Sequence, residues 1–535
     1  MEWVYVVGLA LVLLASVLLI RQLDRPAGDW ARTVRSRLLM GIPWGTLVAV
    51  GFVLFVYLVI QDGRANVYDP VRIPFQAWSY RYPTGMFFAG FAHADYGHLI
   101  GNVTATLVLG TLAEAAFSHY PQRKGAVSFG RRLTNPYVRA FVIFPLGVII
   151  VGLLTGIFAL GPVIGFSGVV FAFAGLALVR YPLTTVIGIL VIQAIRRLFN
   201  AIRRPTISAG IDAPAPAAPW WAEIAVQGHA IGLFIGVAIG LYLLHRRGIR
   251  PPAWRIWTAV FLFGIAQGLW AVYWFEGTDR FLLYQGIGVI LVVILAMLIT
   301  ATLTSSSREL AFEFSHRQVA IGIFLMCLVL LAVPAVMVNL VTTESGVAGE
   351  HAGIDVEDYR VIYGEEVTNR MVAVVDIDIA GLGEVRTSGV IVVSEQRDIW
   401  MTAISKQRLQ SRGQGTVTLG GIGWREHVTA EWDAWKPVGN DSVYQVWLEG
   451  PDERVHAFAA DAQRAEPIIA NHTFDIFIDD AQFNVGVERD GDHVGTAAIP
   501  AHNETATIGE IDLRQEDGDL YAEHDGTVVR IASRD

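Results

Sequence analysis

The chain has 535 residues, 53% of them hydrophobic, with a mean hydropathy of +0.46. That is too apolar for one soluble domain and too long for a single core. The net charge of −9 hides two opposite parts. Residues 341–535 carry 36 Asp+Glu against 15 Lys+Arg, a balance of −21, and the rest carries +12. An acidic tail and only three lysines (Lys124, Lys406, Lys436) would suit a protein bathed in high salt. No nucleic-acid partner is expected.

Stretches of about 18 or more apolar residues mark spanning helices. Ten candidates follow one another: 3–20, 42–60, 86–117, 139–159, 163–179, 183–196, 221–244, 257–274, 283–303 and 319–340. The third is longer than a span needs and reads as beginning in a re-entrant loop. The sixth is short and has arginine on both sides. The first lacks the basic start of a cleaved signal, and Arg21, Arg25, Arg32, Arg35 and Arg37 follow it. That bias predicts an outside N-terminus and an inside first loop. Arg123, Lys124, Arg131 and Arg132, then Arg246, Arg247, Arg250 and Arg255, also fall inside. Arg197, Arg203 and Arg204 fall outside, against the rule. Ten spans place everything after about residue 341 outside the cell, in an expected cell-membrane, multi-pass protein.

The tail changes period as well as charge. Residues 370–379, 389–393, 473–478 and 527–531 alternate or run apolar between Gly, Asp and Asn turns, the pattern of a β-rich sandwich or barrel. Asn471-His-Thr and Asn503-Glu-Thr fit glycosylation acceptors. The stretch 205–219 reads as a loop. The lone Cys327 sits in the last apolar stretch, so no intramolecular disulfide can form.

Polar groups in hydrocarbon are costly and mark function. Three apolar stretches carry them: His98 and Asn102 in one, Ser167 within Gly165-Phe166-Ser167-Gly168 in a second, His229 in a third. With a rise of about 1.5 Å per residue and a hydrocarbon thickness of about 30 Å, their depths can be compared. Ser167 falls roughly 20 Å above the inner face, counting from Arg180. Asn102 falls about 22 Å above it, counting from Phe117. His229 falls about 12 Å below the outer face, counting from Trp221. The three converge on one level below the outer surface. Gly228, Gly232, Gly236 and Gly240 form a ladder facing a small-residue row of Gly165, Gly168, Ala172 and Gly175, so the two helices can pack closely. Serine beside histidine is the arrangement of an activated nucleophile.

These residues resemble the rhomboid intramembrane serine proteases. The pieces that match are His93…His98-Leu-Ile-Gly-Asn102…Leu109-Gly110…Glu114, then Gly165-Phe-Ser167-Gly168, then Gly228-His229-Ala-Ile-Gly232-Leu-Phe-Ile-Gly236, over about residues 40–245. The resemblance implies a Ser167–His229 dyad that cleaves transmembrane substrates. It implies oxyanion donors in His98, Asn102 and the Ser167 amide. Glu114 would be structural, as would His93, and water would enter from outside. Thr84-Gly85 stands where the family often has Trp-Arg, Phe171 where many members have Tyr on the histidine, and Gly228 where Ala is usual.

The expected fold is an α-helical polytopic membrane protein with a rhomboid-like six-helix core, about four extra spans and a β-rich extracytoplasmic domain. The expected parts are 1–40 (first helix and loop), 41–246 (catalytic core), 247–342 (three more helices) and 343–535 (acidic β domain). The first expectation for function is an intramembrane serine endopeptidase acting on transmembrane protein substrates among membrane lipid. No metal or cofactor is expected, for no His-Glu-x-x-His pattern occurs. A catalytically silent client-binding relative is the alternative. A transporter is the third reading, against which stands the absence of visible repeats. For the tail, a solvated stabilising domain and an extracellular partner surface both remain open.

Overall fold

The computed structural model describes residues 35–120, 132–203, 226–275, 281–306, 314–340, 351–368 and 386–534, with Leu11 and Ala15. The expected first span, apart from those two residues, the loop 205–219 and the strand 370–379 lie outside these. The chain divides into two compact units, with the break in sequence between Thr342 and Thr343.

The first unit is helical. Its elements are α1 (Trp44–Ile60), α2 (Pro83–Phe88), α3 (Tyr96–Phe117), α4 (Pro136–Ile157), α5 (Ser167–Arg180), α6 (Pro182–Arg203), α7 (Val226–Arg247), α8 (Ala253–Ala266), α9 (Gln285–Thr304) and α10 (His316–Leu340). Among the described residues, α3, α4, α7, α9 and His316–Val336 of α10 are long and apolar enough to cross a membrane; α1, α5 and α8 are apolar but shorter.

Several boundaries differ from the sequence reading. The stretch 257–274 is helical only to Ala266 and enters a strand at Tyr273, paired with Phe281–Leu283. Three others differ for a plain local reason. The stretch 86–117 is not one element. α2 ends at Phe88, and α3 starts only where the Asp95 side chain accepts from the His98 amide at 2.9 Å, an N-cap. The stretch 163–179 becomes helical only at Ser167, because Gly165 sits at φ +137. The sixth stretch runs on to Arg203, and its second half adds Gln193, Arg196, Arg197 and Asn200 to an apolar start.

The core of this unit gathers around α5, whose residues Gly168 to Val179 are all buried. Phe144 and Phe173 stack with centroids 5.9 Å apart, and Phe91, Phe166 and Leu99 fill the site end. α7 lies against α5 through missing side chains. A Cβ on Gly232 would run into the Gly168 carbonyl, and one on Gly236 into the Ala172 carbonyl. A Cβ on Gly240 would sit 2.8 Å from Val179 Cβ. The ladder's first member is corrected by the structure: Gly228 faces open space, and Gly165 faces His98 instead of α7.

The second unit is antiparallel β. One sheet orders Arg454–Ala459, Val443–Glu449, Trp424–Pro437, Thr527–Arg534, Asp519–His524, Ile511–Glu516 and Thr505–Ile508, with Gln414–Gly421 also pairing Trp424–Pro437. Two four-stranded meanders span Gly353–Ser405 and Gln463–Ala498. The expected strands 389–393, 473–478 and 527–531 lie within Arg386–Ser394, His472–Asp479 and Thr527–Arg534. Ile511–Glu516 alternates buried and exposed, as a half-buried strand must. Three hairpins turn on Asp490-Gly491, Asp517-Gly518 and Asp525-Gly526, each with both residues at positive φ. Asp-Gly suits the twist of such two-residue turns, so part of the tail's acidity is turn chemistry.

Candidate active site

α3, α5 and α7 all begin at one end of the bundle, and their first two turns carry the polar residues. Ser167 is the first residue of α5, and its Oγ lies 2.8 Å from Nε2 of His229, in the first turn of α7. For serine to donate, Nε2 must be the unprotonated nitrogen, which leaves the imidazole proton on Nδ1. Nδ1 is buried and has no hydrogen-bond partner among the described residues. The ring is held by packing instead: Phe171 stacks on it with centroids 4.2 Å apart and planes within 7°. Phe171 is four residues after Ser167 on the same helix, so serine and stacking ring share a face.

The turn before Ser167 belongs to the same construction. The Gly165 amide donates to the Ala89 carbonyl at 2.8 Å. A Cβ on Gly165 would lie 2.5 Å from His98 Cε1, so only glycine admits the His98 ring. On α3, the Asn102 amide nitrogen donates to His93 Nε2 at 3.0 Å and keeps its second proton free for another acceptor. His93 is fixed in turn by its backbone: its N–H donates to Gln61 Oε1 and its carbonyl accepts from Gln61 Nε2, both at 2.8 Å. Gly168 abuts Thr155 of α4, where a Cβ would sit 2.8 Å from Thr155 Cβ.

A cavity of ≈ 30 Å³ borders the pair, lined in part by Gly90, Gly156, Ile164, Ser167 and His229. Such a volume holds one or two waters. The first amides of α5 have no intrahelical acceptor and carry the positive end of the helix dipole. Ser167, His229, Gly165 and the N-terminus of α5 therefore border one water-sized space, while His98 and Asn102 are not among the residues that line it.

Glu114 lies elsewhere, deep at the other end of α3. Its carboxylate accepts from Gly45 N at 2.7 Å, Thr46 N at 2.8 Å and Thr46 Oγ1 at 2.7 Å, which caps the start of α1. It also accepts from His119 Nε2 at 2.7 Å, while His119 Nδ1 accepts from Leu39 N. Nearby, Arg247 donates to the carbonyls of Ala116 and Phe117 and closes the C-terminus of α3.

Sequence reasoning passed over four polar residues of this unit: His119, Arg196, Gln227 and Asn339. Arg196 of α6 donates to the Gly101 carbonyl at 3.3 Å, one turn beyond His98. Gln227 and Asn339 bond the loop that leads to Ser167. For Arg196, Gln227 and Asn339 the cost of polar groups in apolar spans was the available signal; His119 lies just past its span and carried none.

The fold and these residues define a multi-pass helical membrane protein with a partly buried Ser–His pair. Residues 76–246 match the Rhomboid domain family. The matched segment takes in α2 to α6, α7 up to Arg246, and His93, His98, Asn102, Ser167, Phe171 and His229. No curated protein and no solved structure matches the chain.

Proposed function

We propose that the protein is an intramembrane serine protease, cleaving peptide bonds in or next to transmembrane segments of its substrates. The observation that carries this reading is the 2.8 Å approach of Ser167 Oγ to His229 Nε2 at the N-terminus of α5. As Oγ bonds to the carbonyl carbon, its proton passes to Nε2. The oxyanion so formed meets the Ser167 N–H and the free amide proton of Asn102, with His98 beside Gly165 as the third donor. His229 then returns its proton to the departing amine, and water from the adjoining cavity releases the acyl group. The reading includes a second part: the acidic β unit is extracytoplasmic, in a protein of the cell membrane, and available to an extracellular partner.

Reaction of the detergent-purified protein with a fluorophosphonate probe tests it. Wild type should label, and Ser167→Ala and His229→Ala should not. A folded wild type that stays unlabelled would favour the silent client-binding alternative and return Ser167 to a packing role.

A further inference from the structure

The segment Phe158–Phe166 links α4 to the serine, and its hold on the neighbouring helices decides where Ser167 stands. One side chain joins it to two of them. Gln227 is two residues before His229. Its Oε1 accepts from Leu160 N at 2.9 Å, and its Nε2 donates to Phe158 O at 2.7 Å and to Leu331 O at 2.6 Å. Two carbonyls on one side and an N–H on the other fix the amide's orientation without ambiguity. Leu331 belongs to α10, where Pro334 interrupts the ladder. Proline has no N–H for the carbonyl four residues back, that of Leu330, and its ring crowds that turn; the neighbouring Leu331 carbonyl takes a bond from outside the helix. Gln227 supplies that bond.

A second brace comes from α10 itself. Asn339, 1% exposed, donates through Nδ2 to Ala159 O at 3.0 Å, and its backbone carbonyl accepts from Tyr80 N at 3.2 Å. Tyr80 OH donates to Ile157 O at 2.7 Å. The same short stretch, 157–160, is therefore held from α7, from α10 and from the segment before α2.

We infer that Gln227 and Asn339 are positioning residues for the Ser167–His229 pair, and that α10, which lies outside the segment matching the rhomboid domain, completes the active-site scaffold. This rests on the protease reading for its catalytic consequence but not for the bracing itself. A small displacement of a nucleophile is expected to cost about 10²-fold in rate.

The test uses the full-length protein in detergent, with Gln227→Leu, Asn339→Leu and, as control, Leu330→Ala on an exposed part of α10 (63% exposed). Two quantities are read: fluorophosphonate labelling and hydrogen exchange of amides 157–165. Each of the two Leu variants should lower the maximal labelling rate at least about tenfold, leave the half-saturating probe concentration in place, and speed loop exchange; the control should change neither. Wild-type labelling and wild-type loop exchange in both variants would overturn the inference. If wild type itself does not label, the protease reading fails, and loop exchange alone decides the bracing. Should a Leu variant fail to fold, Asn339→Ser, too short to reach Ala159, gives the same readings.

Discussion

Two polar clusters share the helical unit, and they differ in how far their hydrogen bonds are satisfied. Around Glu114 each carboxylate oxygen has partners, and both nitrogens of His119 are bonded. A satisfied network of this kind rigidifies its surroundings. Around Ser167 fewer bonds are made: among the described residues His229 Nδ1 has no partner and Asn102 uses one amide proton, on His93, while a cavity adjoins Ser167 and His229. Unsatisfied buried groups cost stability and persist where a reacting molecule completes them.

Exchanging a residue in each cluster should break this contrast if it is wrong. Glu114→Ala removes a carboxylate from three donors of α1 and should cost about 3 kcal/mol or more in stability, since hydrogen bonds to charged groups contribute roughly 1.5–3 kcal/mol each. Ser167→Ala should leave thermal unfolding near wild type while abolishing labelling. Equal thermal effects of the two substitutions would remove the distinction.

The glycine contacts sharpen it further. Gly236→Ala places a methyl against the Ala172 carbonyl, so α5 and α7 must part, with an expected cost of about 1–3 kcal/mol and slower labelling. Gly228→Ala meets nothing within 4 Å and should be neutral in both measurements. A reversed order would show that the helices approach differently.

The smallest effect belongs to the β unit. Tyr363 and Tyr444 both bond Glu365, and Lys406 Nζ lies 2.6 Å from Tyr444 OH. Burial first, with Glu365 beside them, pushes both phenols well above the usual tyrosine range. A folded-state pKa raised above the unfolded value of about 10 means stability is full below that pH and falls as pH rises past it. Tyr363→Phe with Tyr444→Phe should therefore flatten the alkaline loss of stability of the β unit in an unfolding series from pH 8 to about 11. An unchanged alkaline limb would show that these phenols do not contribute.

The sequence by itself determined the apolar helices, the β-rich tail and the residues whose polarity is out of place in hydrocarbon, because periodicity and transfer cost are properties of a local stretch. It named Ser167, His229, His98 and Asn102 on that ground, and the structure sets the first two within hydrogen-bond reach. It also put Gly232 and Gly236 on one face. What it left open were neighbours. Helical spacing tells which residues share a face but not what that face meets, so Gly228 was grouped with packed glycines although nothing lies against it. Asp95 and Gly165 cut helices that hydropathy alone had continued, because a cap and a positive φ outweigh apolar composition. The bonds of Gln227 to residues 69 and 104 positions away, and of Asn339 to one 180 away, were decided only when the helices packed. A hydrogen bond between helices depends on their relative depth and rotation, which no local pattern encodes.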